Sequence, residues 1–261
     1  MNRVHAPDGT PLVYDAYEPP QPPPSSSPER AGVAVLVLGD WHPQPAQGAE
    51  SWAETGAELR DAGFAAYFLD QRGHGRSGGR RGHLSRFSQL LGDLQAFRRA
   101  VRRRVDIPQV LVGQGFGGLV VLRYLETQPG EPPAAAVISS PWLSPRVPPP
   151  TWKRIAAKLA DLWPTLPTGR GRGYMTAGAR AELQWAQRAV LADRQRIERP
   201  LLFVLGAHDP VSDPAVARTF ADSLATPAQV QWYPDLPYDL LDVRQVREDL
   251  IRFIAQSRSF R

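Results

Sequence analysis

Short apolar runs that alternate with helix-period segments constrain this chain more than any other feature. Val33–Leu38, Ala65–Leu69, Val110–Val112, Ala134–Ile138, Leu201–Leu205 and Val230–Tyr233 each read as a strand. Runs of that kind suit strands covered on both faces, as in a parallel sheet. Between them, Trp52–Ala62, Phe87–Val105, Leu119–Leu125, Val216–Leu224 and Val243–Ala255 read as helices, and Asp213-Pro214 supplies an N-cap and first-turn pair for the fourth. A further strand, Leu12–Tyr17, follows the Asp8-Gly9-Thr10 turn signal. Such alternation predicts an α/β fold, with a mostly parallel central sheet and helices on both faces. A length of 261 residues and a hydrophobic fraction of 42% suffice for one such domain with a modest insertion.

The alternation fails between Trp142 and Arg199. Pro148-Pro149-Pro150 is followed by an amphipathic pattern carrying Trp152, Ile155, Leu159, Leu162 and Trp163. A Gly-Arg turn, Gly169 to Gly173, leads to a second helix from about Ala177 to Arg196. The expected organisation is a core of residues 1–141 and 200–261, with residues 142–199 inserted as a short helical cap over the C-terminal edge of the sheet. Ligands bind at that edge in open α/β folds. Trp152, Trp163 and Trp185 are large enough to fill a pocket beneath such a cap. Residues 18–30, rich in Pro and Ser, read as an extended surface loop.

Net charge is +5, and all basic residues except Lys153 and Lys158 are arginines. Arg98, Arg99, Arg102, Arg103 and Arg104 cluster on one expected helix. They admit an anion-binding or nucleic-acid patch. A solvated helix face is the expected reading, because no nucleic-acid motif accompanies them, and no nucleic-acid partner is expected. The chain has no cysteine, which excludes disulfides, thiol nucleophiles and thiolate metal sites and suits a cytoplasmic protein. The first residues carry no signal-peptide core, and no run reaches membrane-spanning length. The histidines are too scattered for a metal-ligand cluster, so neither metal nor cofactor is expected.

Gly113-Gln114-Gly115-Phe116-Gly117-Gly118 lies between the strand Val110–Val112 and the helix that begins near Leu119. This is a strand, a sharp turn and a helix, the layout of a G-x-S-x-G nucleophile elbow, with Gly115 where the serine would stand. No Lys-Ser or Lys-Thr follows, so the segment is no phosphate loop. No serine occurs between Ser88 and Ser139, so no shift of register supplies one.

Leu69-Asp70-Gln71-Arg72-Gly73-His74-Gly75-Arg76-Ser77, followed by Arg81-Gly82-His83, resembles the strand-end motif of the monoacylglycerol lipase and lysophospholipase group of α/β-hydrolases. Together with the glycine-rich elbow and Asp209 after a strand, this resemblance covers nearly the whole chain. It implies the α/β-hydrolase fold and a Ser-His-Asp site for ester hydrolysis. By that resemblance the nucleophile position is Gly115, the acid is Asp209, and Tyr238 stands at the base position in Tyr233-Pro234-Asp235-Leu236-Pro237-Tyr238. His208 is the last histidine of the chain, so none can take the base position. The oxyanion donors would be the backbone N–H groups of Asp40 and Phe116. Asp209 is expected to hydrogen-bond Tyr238, and an Asp40 carboxylate facing the pocket would oppose developing negative charge. His42 is the auxiliary histidine with a view of the pocket; His74 and His83 sit in motifs where the family's histidines are structural.

The expected function is a catalytically impaired, pseudoenzyme-like α/β-hydrolase that binds a small acyl-type ligand under the cap or a partner. Two alternatives stand beside it. One is an active carboxylic-ester hydrolase with non-standard catalytic residues; the other is an interaction module using the arginine-rich face.

Overall fold

The computed structural model describes residues 2–20, 32–41, 52–127, 131–147, 163–167, 174–226 and 228–257. Eight strands form one sheet: β1 Asn2–His5, β2 Pro11–Tyr17, β3 Ala34–Leu38, β4 Ala65–Asp70, β5 Gln109–Gln114, β6 Ala135–Ser139, β7 Leu201–Gly206 and β8 Gln229–Tyr233. Their spatial order is β1-β2-β4-β3-β5-β6-β7-β8. The β1–β2 and β2–β4 pairs are antiparallel; every other pair is parallel. The strands forecast from the apolar runs are all present, and β1 adds a short edge strand ahead of the Asp8-Gly9 turn.

Among the described residues the α-helices are α1 Ala53–Asp61, α2 Ser88–Arg104, α3 Phe116–Thr127, α4 Ala177–Asp193, α5 Pro214–Asp222 and α6 Arg244–Gln256. All five residues of β3 are buried, and alternate residues serve opposite faces. Leu36, Leu38, Leu111, Ile138 and Phe203 pack with Leu94 and Phe97 of α2, Leu119 of α3, Ala186 of α4 and Phe220 of α5. Val35, Val37, Val110, Val112 and Val204 pack with Leu59 of α1 and with Val246, Leu250 and Phe253 of α6. This two-sided burial is why the strands read as continuous apolar runs rather than as alternating ones. On α2, Leu90, Leu94, Phe97 and Val101 are buried at helical spacing. Asp213 caps α5 by accepting from Ala215 N, with Pro214 in the first turn.

The forecast second helix of the insertion is α4, capped by Thr176, whose Oγ1 accepts from Ala179 N. Of the forecast helix carrying Trp152, Ile155, Leu159, Leu162 and Trp163, only Trp163 is among the described residues, and it is not helical; the Gly169–Gly173 turn also lies outside them. Trp163 and Trp185 are 64% and 45% exposed. Trp185 packs against Phe87 and under the Arg123 guanidinium, and Trp152 lies outside the described residues.

The two strands that follow β3 in the chain lie on opposite sides of it. β4 pairs one side of β3 and β5 the other. The crevice between the C-terminal ends of β3 and β5 is therefore the topological switch point, where open α/β sheets place their ligand sites.

Candidate functional site

Two turns meet at that crevice. After β3 the chain runs through Gly39 and Asp40; after β5 it turns at Gly115 into α3. The register pairs Leu38 with Gly113, which sets the two turns side by side. Gly117 permits the close approach, because a Cβ there would stand 2.6 Å from the Gly39 carbonyl oxygen.

Gly115 has φ +56°, a left-handed conformation that favours glycine. Its N–H donates to Ser139 O, and its carbonyl accepts from Trp142 N and Leu119 N. The turn is thus tied to β6 and to the first turn of α3. The space over Gly115 is taken. A Cβ built there would collide with the Tyr238 hydroxyl and with the Asp40 carboxylate, whose Cγ would lie at 2.6 Å.

These two side chains take part in one hydrogen-bond cluster. Phe116 N donates to Asp40 Oδ1 at 2.8 Å. The Tyr238 hydroxyl donates to Asp40 Oδ2 at 2.5 Å, and Trp142 Nε1 donates to the Tyr238 oxygen at 2.6 Å. Asp40 and Tyr238 are both buried. Burial, and beside it the Asp40 carboxylate, push the Tyr238 phenol far above its ordinary value, so the hydroxyl keeps its proton and acts as a donor. The ring of Phe116 sits edge-to-face against Trp41 at 4.8 Å and Trp142 at 5.9 Å, and Trp41 Nε1 donates to Tyr174 O. Aromatic rings thereby flank the polar cluster.

The forecast Asp209–Tyr238 hydrogen bond is replaced. Asp209 is buried and turned into its own loop: Oδ1 accepts from Val211 N at 2.7 Å and from Ser212 N at 2.9 Å. Burial raises its carboxyl, and those two amides partly offset the rise. Tyr238 reaches Asp40 instead, because the residue after Gly39 extends a carboxylate across the crevice. The expected donors Asp40 and Phe116 also meet in an unforeseen way. The side chain of the first occupies the backbone N–H of the second.

His42 lies outside the described residues. His208 is exposed, and its N–H is bonded to Leu236 O. His74 Nδ1 pairs with Arg72 O, and its ring packs edge-to-face on Trp41. His83 bridges Thr176 Oγ1 and Ser85 Oγ, tying the β4–α2 loop to the start of α4; burial, with Arg80 nearby, lowers its pKa. The rest of the strand-end motif is an ion-pair knot. Arg72 is bidentate to Asp93 and also reaches Asp8, while Arg76 joins Asp70 and Asp15. Sequence reasoning missed Trp142, whose only local signal was its place just beyond a strand end.

Serine-ester chemistry needs a hydroxyl at the turn, a base beside it and unoccupied amide donors. This crevice offers a glycine, a protonated phenol and an amide already engaged by a carboxylate.

The family model described as Serine aminopeptidase, S33, matches residues 46–172. The monoacylglycerol lipase of Mycolicibacterium smegmatis is 34% identical over 134 residues, 51% of this chain and 43% of that protein. The matched stretch thus spans less than half the length of that curated relative. Among solved structures, the Paleococcus ferrophilus monoacylglycerol lipase has a TM-score of 0.74 at 21% identity, covering 96% of this chain and 99% of the other. A soluble variant of Saccharomyces cerevisiae monoglyceride lipase, in complex with a substrate analogue, has a TM-score of 0.80 at 16% identity over 98% and 94% of the two chains. Sheet order, crevice and structural likeness give this chain the α/β-hydrolase fold. In sequence it is similar to a monoacylglycerol lipase over about half of its length.

Proposed function

We propose that this α/β-hydrolase has lost serine-ester catalysis and acts through binding, either of a small acyl-type ligand or of a protein partner. The observation that carries the reading is the Asp40 carboxylate seated on the Phe116 amide, directly over Gly115. In this reading Gly115, Tyr238 and Asp209 are the former nucleophile, base and acid positions. An acyl substrate would find no attacking oxygen, and its developing oxyanion would face a carboxylate rather than a donor. Loss of one triad member already costs ~10⁴-fold in related chemistry. The absence of cysteine fits a cytoplasmic location.

Exposure of the full chain to a fluorophosphonate probe, with mass-spectrometric mapping, tests the proposal. No serine is expected to be labelled, and nitrophenyl butyrate should be hydrolysed no faster than by heat-inactivated protein. Ser85, the serine paired with His83, is the residue to watch. Labelling there together with turnover lost in Ser85→Ala would overturn the proposal.

A further inference from the structure

At the opposite end of the sheet, where β5 and β6 begin, lies a pair of joined grooves of about 330 and 190 Å³. Arg98, Arg102, Gln109 and Glu131 line both. The sequence reading of the α2 arginines as a solvated face does not hold for Arg98, which is only 7% exposed. Its Nε donates to Gln109 Oε1, and Nη1 donates to the Tyr124 hydroxyl and to Glu131 O; its guanidinium also lies over the Tyr124 ring. Gln109 returns a bond from Nε2 to Arg98 O, so the helix and strand clamp the side chain in place.

All three of those acceptors are neutral. Among the described residues, no carboxylate lies within ion-pair distance of Arg98, and no acceptor is recorded for its Nη2. Buried charges are ordinarily paired, because desolvation of an unpaired ion is costly. The nearby Glu131 carboxylate is committed elsewhere, to Arg102. Arg199, on the rim of the larger groove, has a buried Nε with no partner. Arg98, Arg99, Arg102 and Arg199 line the grooves against two carboxylates, Glu131 and Asp106. Two positive charges are thus left over, and the remaining wall of the larger groove is apolar, formed by Ile107, Pro108 and Pro132–Ala134.

From the clamped guanidinium, the charge excess and the apolar wall, we infer that this groove binds a small organic dianion, a phosphate monoester with a compact apolar body. The phosphate takes Arg98 Nη2 and Arg199, and the apolar body lies along the proline wall. Arginine forks suit phosphate oxygens. The site is separate from the crevice over Gly115, since Gln109 begins β5 and Gln114 ends it.

Isothermal titration of the full chain with phenyl phosphate, at fixed ionic strength with phenol as control, tests the inference. Saturable one-to-one binding is expected, absent for phenol and weaker for benzoate. Arg199→Gln should weaken it about tenfold, the loss of one charge-assisted contact. Arg98→Gln should abolish it; should that variant fail to fold, Arg199→Gln decides. Absence of saturable binding, or binding untouched by Arg199→Gln, would show that neutral acceptors alone satisfy Arg98. Equal affinity for benzoate would overturn the dianion.

Discussion

Gly115 is held by two independent constraints, and they act in the same direction. Its backbone is left-handed, and its missing side chain leaves room for the Tyr238 hydroxyl and the Asp40 carboxylate. Gly115→Ser should therefore destabilise the protein by about 3 kcal/mol through strain and overpacking. It should not create an esterase, which a nitrophenyl butyrate assay on the folded variant checks. Adding Tyr238→His supplies an imidazole but leaves the Phe116 amide under Asp40. Only the triple variant, with Asp40→Gly as well, is expected to hydrolyse the ester above the rate of a matched Gly115→Ala control. Tyr238→Phe is a narrower probe. It strips a donor from a buried carboxylate and an acceptor from Trp142, and urea unfolding should show a loss of about 1–3 kcal/mol at unchanged slope.

The contact between α3 and α4 carries a pH dependence of its own. Arg123 of α3 donates to Glu126 Oε2 and to Asp193 Oδ2 of α4, with its guanidinium over Trp185. Glu126 is buried, and desolvation pushes its carboxyl up from 4.5 to about 7, against the opposing pull of Arg123 and the weaker pull of Arg196, while Asp193 adds to the rise. The folded state thus binds this proton more tightly than the unfolded chain does. Its contribution to stability is complete below pH 4.5 and is lost as pH climbs through about 7. Unfolding measured across that window should show the decline, and Glu126→Gln, which stays neutral, should flatten it. An unchanged slope in the variant would place the titration elsewhere.

One side chain joins three parts of the molecule. Arg72, at the end of β4, pairs with Asp8 in the β1–β2 turn and with buried Asp93 on α2. Its guanidinium pulls the Asp8 carboxyl well below the usual range. Arg72→Ala would strand Asp93 without its counter-charge, at a cost of about 3–5 kcal/mol. Calorimetry should show that loss in the main transition and not as a separate melting of the N-terminal hairpin, because the knot is anchored in the core. The motif that most resembles a lipase signature therefore ties the architecture together here, while the space over Gly115 is filled by residues outside it.

The sheet and its helices were legible in the chain because burial on both faces leaves continuous apolar runs, and helix faces leave their own period. Gly115 was legible too, since a missing hydroxyl is a property of one residue and needs no geometry. The partner of Tyr238 was not. Asp40 and Tyr238 are separated by 198 positions, and only the parallel register of β3 beside β5 brings the carboxylate over the turn. Likewise, five neighbouring arginines look equivalent along α2, yet the packing of that helix on β5 buries Arg98 and leaves Arg99 and Arg103 exposed. Composition and local pattern determine which elements form, because those depend on near neighbours. Which carboxylate meets which donor depends on distances between distant segments, and these exist only once the chain has folded.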